Sequence, residues 1–189
     1  MEYFKKIKLD IPWMNLDYNL ESFQRKASVY PIHKIFQLEY AALNPALVDW
    51  FRNKGIEIKG YIFITPPNSK SLIHVDGLQF HDCWSLNWAW GSSDHAMSWW
   101  KPNDTTLTPT RGDTKASTSY LTWSEVEATK VAETVIDAPT ICHIGSPHRV
   151  ENFTNSLRWA VSIRPTVFTD WKTAIKLFEN EIKEYRNVY

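Results

Sequence analysis

The sequence predicts a mainly β protein, a sandwich or barrel with helices at its flanks, and three observations carry that reading. From residue 56 onward, short runs rich in β-branched and aromatic residues recur between turn signals. The last run, residues 158–164, alternates strictly at the two-residue period of a strand. The sustained helical patterns lie to either side of the strand-rich stretch, near residue 45 and after residue 168.

The elements follow in order. Residues 4–11 alternate in part and read as an edge strand, and 28–38 as one or two short strands. Asn44 suits a helix N-cap, Pro45 the first helical position and Gly55 the left-handed exit, with Leu47, Trp50 and Phe51 as the buried face between them. Residues 56–65 read as a strand, stopped by Pro66-Pro67-Asn68-Ser69. Strands are next expected over 71–76 and 83–90. Residues 91–124, rich in Ser, Asp, Thr, Pro and Lys, read as a long irregular insertion with room for one hairpin, a lid or binding loop. A helical turn is expected over 125–130, then strands over 131–136, 140–144, 147–151 and 158–164. In the tail, Trp171, Ala174, Ile175, Phe178, Ile182 and Tyr185 recur at helical spacing, with Thr169 as cap.

Composition narrows the function. The 189 residues suffice for one well-cored domain, and no repeat or linker divides them. The expected layout is a single domain, 1–189: a β core over about 56–165, N-terminal strands and a helix over 1–55, and a C-terminal helix over 168–187. Lys plus Arg equals Asp plus Glu at 21 each, so no nucleic-acid or anionic-membrane footprint is visible. Two cysteines make no disulfide framework, the N-terminus lacks the apolar run of a signal peptide, and no stretch is long and apolar enough to span a bilayer. A cytoplasmic location is expected; the oligomeric state is left open.

The chemistry-bearing stretch is Ser71-Leu72-Ile73-His74-Val75-Asp76-Gly77, with an echo in Ser146-Pro147-His148-Arg149-Val150. On a strand, His74 and Asp76 leave from one face. Two His and one Asp meeting at a point form the facial triad that holds non-haem Fe(II) with positions left open. H-x-D alone is weak, since this composition gives it by chance in roughly one chain in three. The plain alternative is a satisfied histidine at a strand end. A further signal lies downstream. Arg158, Ala160, Ser162 and Arg164 share one strand face, opposite the core face of Trp159, Val161 and Ile163. A buried guanidinium needs a carboxylate, either a protein one such as Glu151 or that of a bound ligand.

His74-x-Asp76, then His148, then Arg158 ten residues later, resembles the Fe(II)/2-oxoglutarate-dependent dioxygenases. The segment 158–164 is similar to the final strand of prolyl hydroxylases, and the arginine spacing to that of alkylation-repair demethylases. The resemblance covers about 56–165, without the 91–124 insertion. It implies a double-stranded β-helix, a cupin-like jelly-roll barrel, with His74, Asp76 and His148 as metal ligands. It also implies Arg158 on the distal carboxylate of 2-oxoglutarate, with O2 as the other co-substrate. Tyr61, Asn87, Ser162 and Arg164 are its other candidate co-substrate contacts, though packing or strand hydrogen bonding explains Tyr61 and Asn87 as well. The retained Asp76 favours hydroxylation or demethylation over halogenation, on a small-molecule or peptide substrate.

His143 is a rival ligand but falls inside its strand, so His148 is preferred. His33, His81 and His95 are left over, the last two near the expected rim. Trp84, Trp88, Trp90, Trp99 and Trp100 either close one end of the barrel or wall a substrate site. Two other classes stay open: a non-catalytic jelly-roll binding module, and a cupin-type metalloenzyme that does not use 2-oxoglutarate.

Overall fold

The computed structural model describes residues 2–17, 34–76, 83–106, 108–113, 119–167 and 169–188. Its strands, in chain order, begin with β1 (Phe4–Lys6), β2 (Lys34–Gln37), β3 (Ile58–Thr65), β4 (Ser69–Lys70) and β5 (Ile73–Asp76). There follow β6 (Trp84–Trp90), β7 (His95–Pro102), β8 (Thr110–Asp113) and β9 (Ser119–Trp123). The last are β10 (Ala128–Thr134), β11 (Thr140–His143), β12 (His148–Asn152) and β13 (Arg158–Pro165). They form two antiparallel sheets, β1-β11-β6-β13-β3-β2 and β10-β7-β12-β5-β9-β8, with β4 beside β12. The chain passes between the sheets from β3 to β5 to β6 to β7, and back from β10 to β11 to β12 to β13. The fold is therefore mainly β, with the interleaved sheets of a jelly-roll.

Alternation along β13 decides what lies on each side of the first sheet. Val161 and Ile163 face outward with Ile62, Ile64, Leu86 and Ile141, and this face forms one buried cluster with the helices. The helices are α1 (Pro45–Asn53), α2 (Trp171–Leu177) and α3 (Glu179–Val188). Asn44 caps α1 by accepting from the Ala46 N–H at 2.9 Å, and Gly55 exits at φ 74°. Leu47, Val48 and Phe51 are the fully buried residues of α1, while Trp50 stacks on Phe178 at 5.4 Å. Phe178, in the break between α2 and α3, also meets Trp84 edge-on at 5.3 Å. Arg158, Ala160, Ser162 and Arg164 face the other way, into the space between the sheets, where Met97, Trp99, Cys142 and Ile144 form a separate cluster.

Several expectations are corrected. Residues 91–124 are not an irregular insertion: they contain β7, which lies inside the second sheet, and the β8–β9 hairpin that extends it past β5. Residues 95–100 are buried on both faces, so no polar alternation marks them as a strand. Residues 125–130 form a turn that runs directly into β10 rather than a helical turn. In the 4–11 segment only Phe4–Lys6 pairs, at the edge of the first sheet. The tail is two helices, not one, and Asp170 rather than Thr169 caps it, accepting from the Thr173 N–H at 2.7 Å. Of the strand expected over 28–38, residues 28–33 lie outside the described residues.

Phe178 joins two helices to the outer face of the first sheet with no exposed surface. Phe178→Ala is expected to lower the unfolding free energy by about 3–5 kcal/mol, read as a lower urea midpoint at unchanged slope.

Candidate metal centre

The pairing of β12 with β5 sets His148 opposite His74 in register. Both side chains enter the space between the sheets, and the two-residue period brings Asp76 to the same face. The imidazole centroids are 4.5 Å apart, and His74 Nε2 lies 3.6 Å from Asp76 Oδ1. One donor atom from each of the three residues lies within 4.8 Å of the others, a grouping that can hold a metal ion.

Hydrogen bonds fix how each ligand faces. His74 Nδ1 donates to the Leu72 carbonyl at 2.8 Å and His148 Nδ1 to the Ser146 carbonyl at 2.9 Å. A carbonyl only accepts, so both rings carry their proton on Nδ1 and present the Nε2 lone pair inward. In each case the carbonyl belongs to the residue two positions earlier. Asp76 Oδ2 accepts from Arg164 Nη2 at 2.8 Å, which leaves Oδ1 for the imidazoles or a cation. Burial raises the Asp76 pKa, but the Arg164 guanidinium and the two imidazoles more than offset this and hold it at about 2. Burial, with His74 adding to it, takes His148 down to about 3, so the ring is neutral and ready to ligate.

The arginines behave differently. Arg164 donates from Nε to Ser162 Oγ at 3.2 Å, and its guanidinium lies 5.2 Å from the Tyr61 ring centroid and 5.5 Å from that of Phe63. Arg158 is 2 % exposed and finds no carboxylate among the described residues; its Nε has no hydrogen-bond partner. The pairing with Glu151 does not occur, because Glu151 lies on the other face of its strand and binds Arg149 at 3.1 Å. Burial lowers the Arg158 pKa to about 10, which still leaves it charged at neutral pH. An unpaired buried guanidinium is costly, and an anionic ligand entering this space would relieve it. Asn87 and Tyr61 sit opposite Ser162 on the flanking strands, and Asn87 Nδ2 donates to Ser85 Oγ at 3.0 Å.

The other candidates disperse. His143 stacks on Trp171 at 5.2 Å and stands outside the cluster. His95 is not at an exposed rim: it is 5 % exposed and its Nδ1 bonds the Ser92 carbonyl at 3.1 Å. His33 and His81 lie outside the described residues. The tryptophans make no common wall. Trp84 packs under the helices, and Trp90 stacks with Trp13 and Trp159 on the outer face of the first sheet. Trp99 lies inside, its indole N–H donating to the His143 carbonyl at 2.9 Å, while Trp100 lies under Arg149 on the outer face of the second sheet.

No protein-family model matches the sequence, and no curated protein sequence matches it. Among solved structures, the chain is similar to ycfD of E. coli (15% identity, 75% of this chain and 34% of that one, TM-score 0.37). It is also similar to an L-ribose isomerase of Cellulomonas parahominis solved with L-psicose (12% identity, 72% and 62%, TM-score 0.36). A third is peruvianin-I, a cysteine peptidase from Thevetia peruviana latex (10% identity, 86% and 88%, TM-score 0.32). The chain spans about a third of the length of ycfD and 62% of the isomerase. At such scores the likenesses carry no weight for the function of this chain.

Sequence reading missed two contributors. The Arg164–Asp76 contact crosses between sheets and has no sequence signature. Tyr120, on β9 opposite Asp76, meets His74 edge-on at 6.2 Å, yet lies in the segment read as irregular.

The pKa shifts set a pH dependence for the metal-free protein. His148 titrates near 6.5 when unfolded and near 3 when folded, so across that window the unfolded chain binds more protons and stability falls with the pH. Asp76 acts in the same direction below about 3.8. His148→Asn is expected to flatten the fall in urea midpoint between about pH 6 and pH 4.

Proposed function

We propose that this protein is an Fe(II)- and 2-oxoglutarate-dependent oxygenase that hydroxylates a peptide or small-molecule substrate. One observation carries the reading: His74, Asp76 and His148 cluster with both Nε2 lone pairs inward, and Arg158, buried without a carboxylate, faces the same space between the sheets. Fe(II) with 2-oxoglutarate and O2 supplies the oxidising power, one oxygen atom going to the substrate C–H bond and the other to succinate as CO2 is released.

The protein's own contribution is binding, orientation and exclusion of water. His74, Asp76 and His148 would hold the cation and, as three donors, would leave positions free for oxygen ligands. Arg164 keeps Asp76 ionised and occupies Oδ2, favouring a single oxygen toward the metal. Arg158 receives the distal carboxylate of the co-substrate, a match of charge and planar geometry. Ser162, Arg164, Tyr61 and Asn87 line the same face and offer further donors. Met97, Trp99 and Val150 close the interior with apolar surface, which strengthens each of these charge interactions by excluding water. Because Asp76 fills its place in the ligand set, hydroxylation or demethylation is favoured over halogenation. The balanced charge of the chain favours a peptide or small molecule over nucleic acid.

Anaerobic addition of Fe(II) and then 2-oxoglutarate is expected to produce a visible metal-to-ligand charge-transfer band, absent in His148→Ala. Arg158→Met is expected to weaken 2-oxoglutarate about 30- to 100-fold, as befits loss of a buried charge-assisted pair, with Fe(II) affinity unchanged. Iron binding without the band points to a cupin-type metalloenzyme that uses another co-substrate. No iron binding at all leaves a jelly-roll binding module.

A further inference from the structure

The inner face of the second sheet does not end at the metal ligands. Beyond β5 it continues onto the β8–β9 hairpin, where Thr122 pairs with His74 and Tyr120 with Asp76. One strand further, Thr110 pairs with Thr122 and Gly112 with Tyr120. Directly opposed residues share a face, so Thr110, Gly112, Tyr120 and Thr122 form a neutral ledge of hydroxyls and one aromatic ring beside the triad. On the facing sheet, Lys59 is the register partner of Arg164, so a second cationic side chain stands beside the one that binds Asp76.

Tyr120 has Asp76 on one flank and Gly112 on the other, and its ring leans over the glycine. A Cβ on Gly112 would overlap the ring carbon bearing the hydroxyl, lying 2.6 Å from a neighbouring ring carbon and 2.7 Å from the hydroxyl oxygen. Even the smallest side chain at position 112 is therefore incompatible with this ring position. The strand on the side of Tyr120 away from Gly112 is β5, with Asp76 directly opposite and the His74 imidazole 6.2 Å from the ring, so a ring moved off the glycine toward β5 closes on the metal ligands. Covering an edge-strand glycine with a ring also stabilises a sheet, but that purpose does not require the ring to border a metal site.

We propose that Tyr120 is a specificity-determining residue of the metal site, setting the size of what reaches the metal, with Gly112 the socket that keeps its ring aside. The inference rests on the metal-centre reading and adds that bulky, uncharged groups enter along the hairpin ledge. Anionic groups are drawn to the Lys59 side of the opening.

The test uses the protein loaded with Co(II) alone and follows the visible Co(II) spectrum on titration with azide, a small ligand, and benzimidazole, a bulky one. Wild type is expected to bind both. Gly112→Ala is expected to keep azide affinity within about twofold and to lose benzimidazole affinity by ~10-fold or more. Adding Tyr120→Ala to Gly112→Ala is expected to restore benzimidazole binding. Tyr120→Ala alone, which leaves the hairpin backbone unaltered, is expected to raise benzimidazole affinity ~3-fold or more, and gives an arm independent of whether Gly112→Ala folds. Equal loss of both probes in Gly112→Ala, failure of the double variant to restore binding, or no change in Tyr120→Ala overturns the proposal. Should wild type not bind Co(II), the metal-centre reading itself fails and this inference with it; Co(II) binding without size discrimination removes only the inference.

Discussion

The register between β12 and β5 is the constraint on which the site depends. His148 and His74 face each other because these strands pair at that one position, and a slip of a single residue would turn His148 to the far side of its sheet. Arg149 would then point inward, away from the Glu125 carboxylate that it binds at 2.8 Å. The Arg149–Glu125 ion pair outside the sheet and the imidazoles inside it thus favour the same register. Each imidazole is then oriented locally, by the carbonyl two residues earlier.

The molecule divides its two kinds of work between the faces of one sheet. Apolar burial lies on the outer face of the first sheet, where Ile62, Val161 and Ile163 pack against Phe51 and Phe178 of the helical layer. That arrangement relieves the inner face of supplying all the hydrophobic stabilisation. Some of that face is polar instead: Ser85, Asn87, Arg158, Ser162 and Arg164 all face the interior of the sandwich. Arg164 is satisfied by Asp76 from the other sheet, so one charge pair both joins the sheets and orients a candidate metal ligand. Arg158 has no such partner among the described residues, which leaves its buried charge uncompensated by the protein.

Legibility in the sequence followed burial. Strands with one polar face or clear turn boundaries, such as β3 and β13, were readable from period alone, as was α1 from Asn44, Pro45 and Gly55. β7 was hidden because His95 through Trp100 are buried on both sides, so no alternation survives. The tail read as one helix because Phe178 keeps the helical spacing of apolar residues across the break between α2 and α3. The five clustered tryptophans were open to closing one end of the barrel or walling a substrate site, but consecutive strand residues point to opposite faces, and Trp99 and Trp100 end in different cores.

By itself the sequence determined a mainly β chain with flanking helices, and it put His74 with Asp76, and Arg158 with Ser162 and Arg164, on common strand faces. Those are local consequences of a two-residue period, which residue order fixes wherever the strand pairs. Only the tertiary structure decided that His148 stands against His74, that Arg164 rather than Arg158 holds Asp76, and that Tyr120 leans over Gly112 beside the candidate metal ligands. Each of these contacts joins segments remote along the chain, and their meeting depends on strand order and register, which no local pattern encodes.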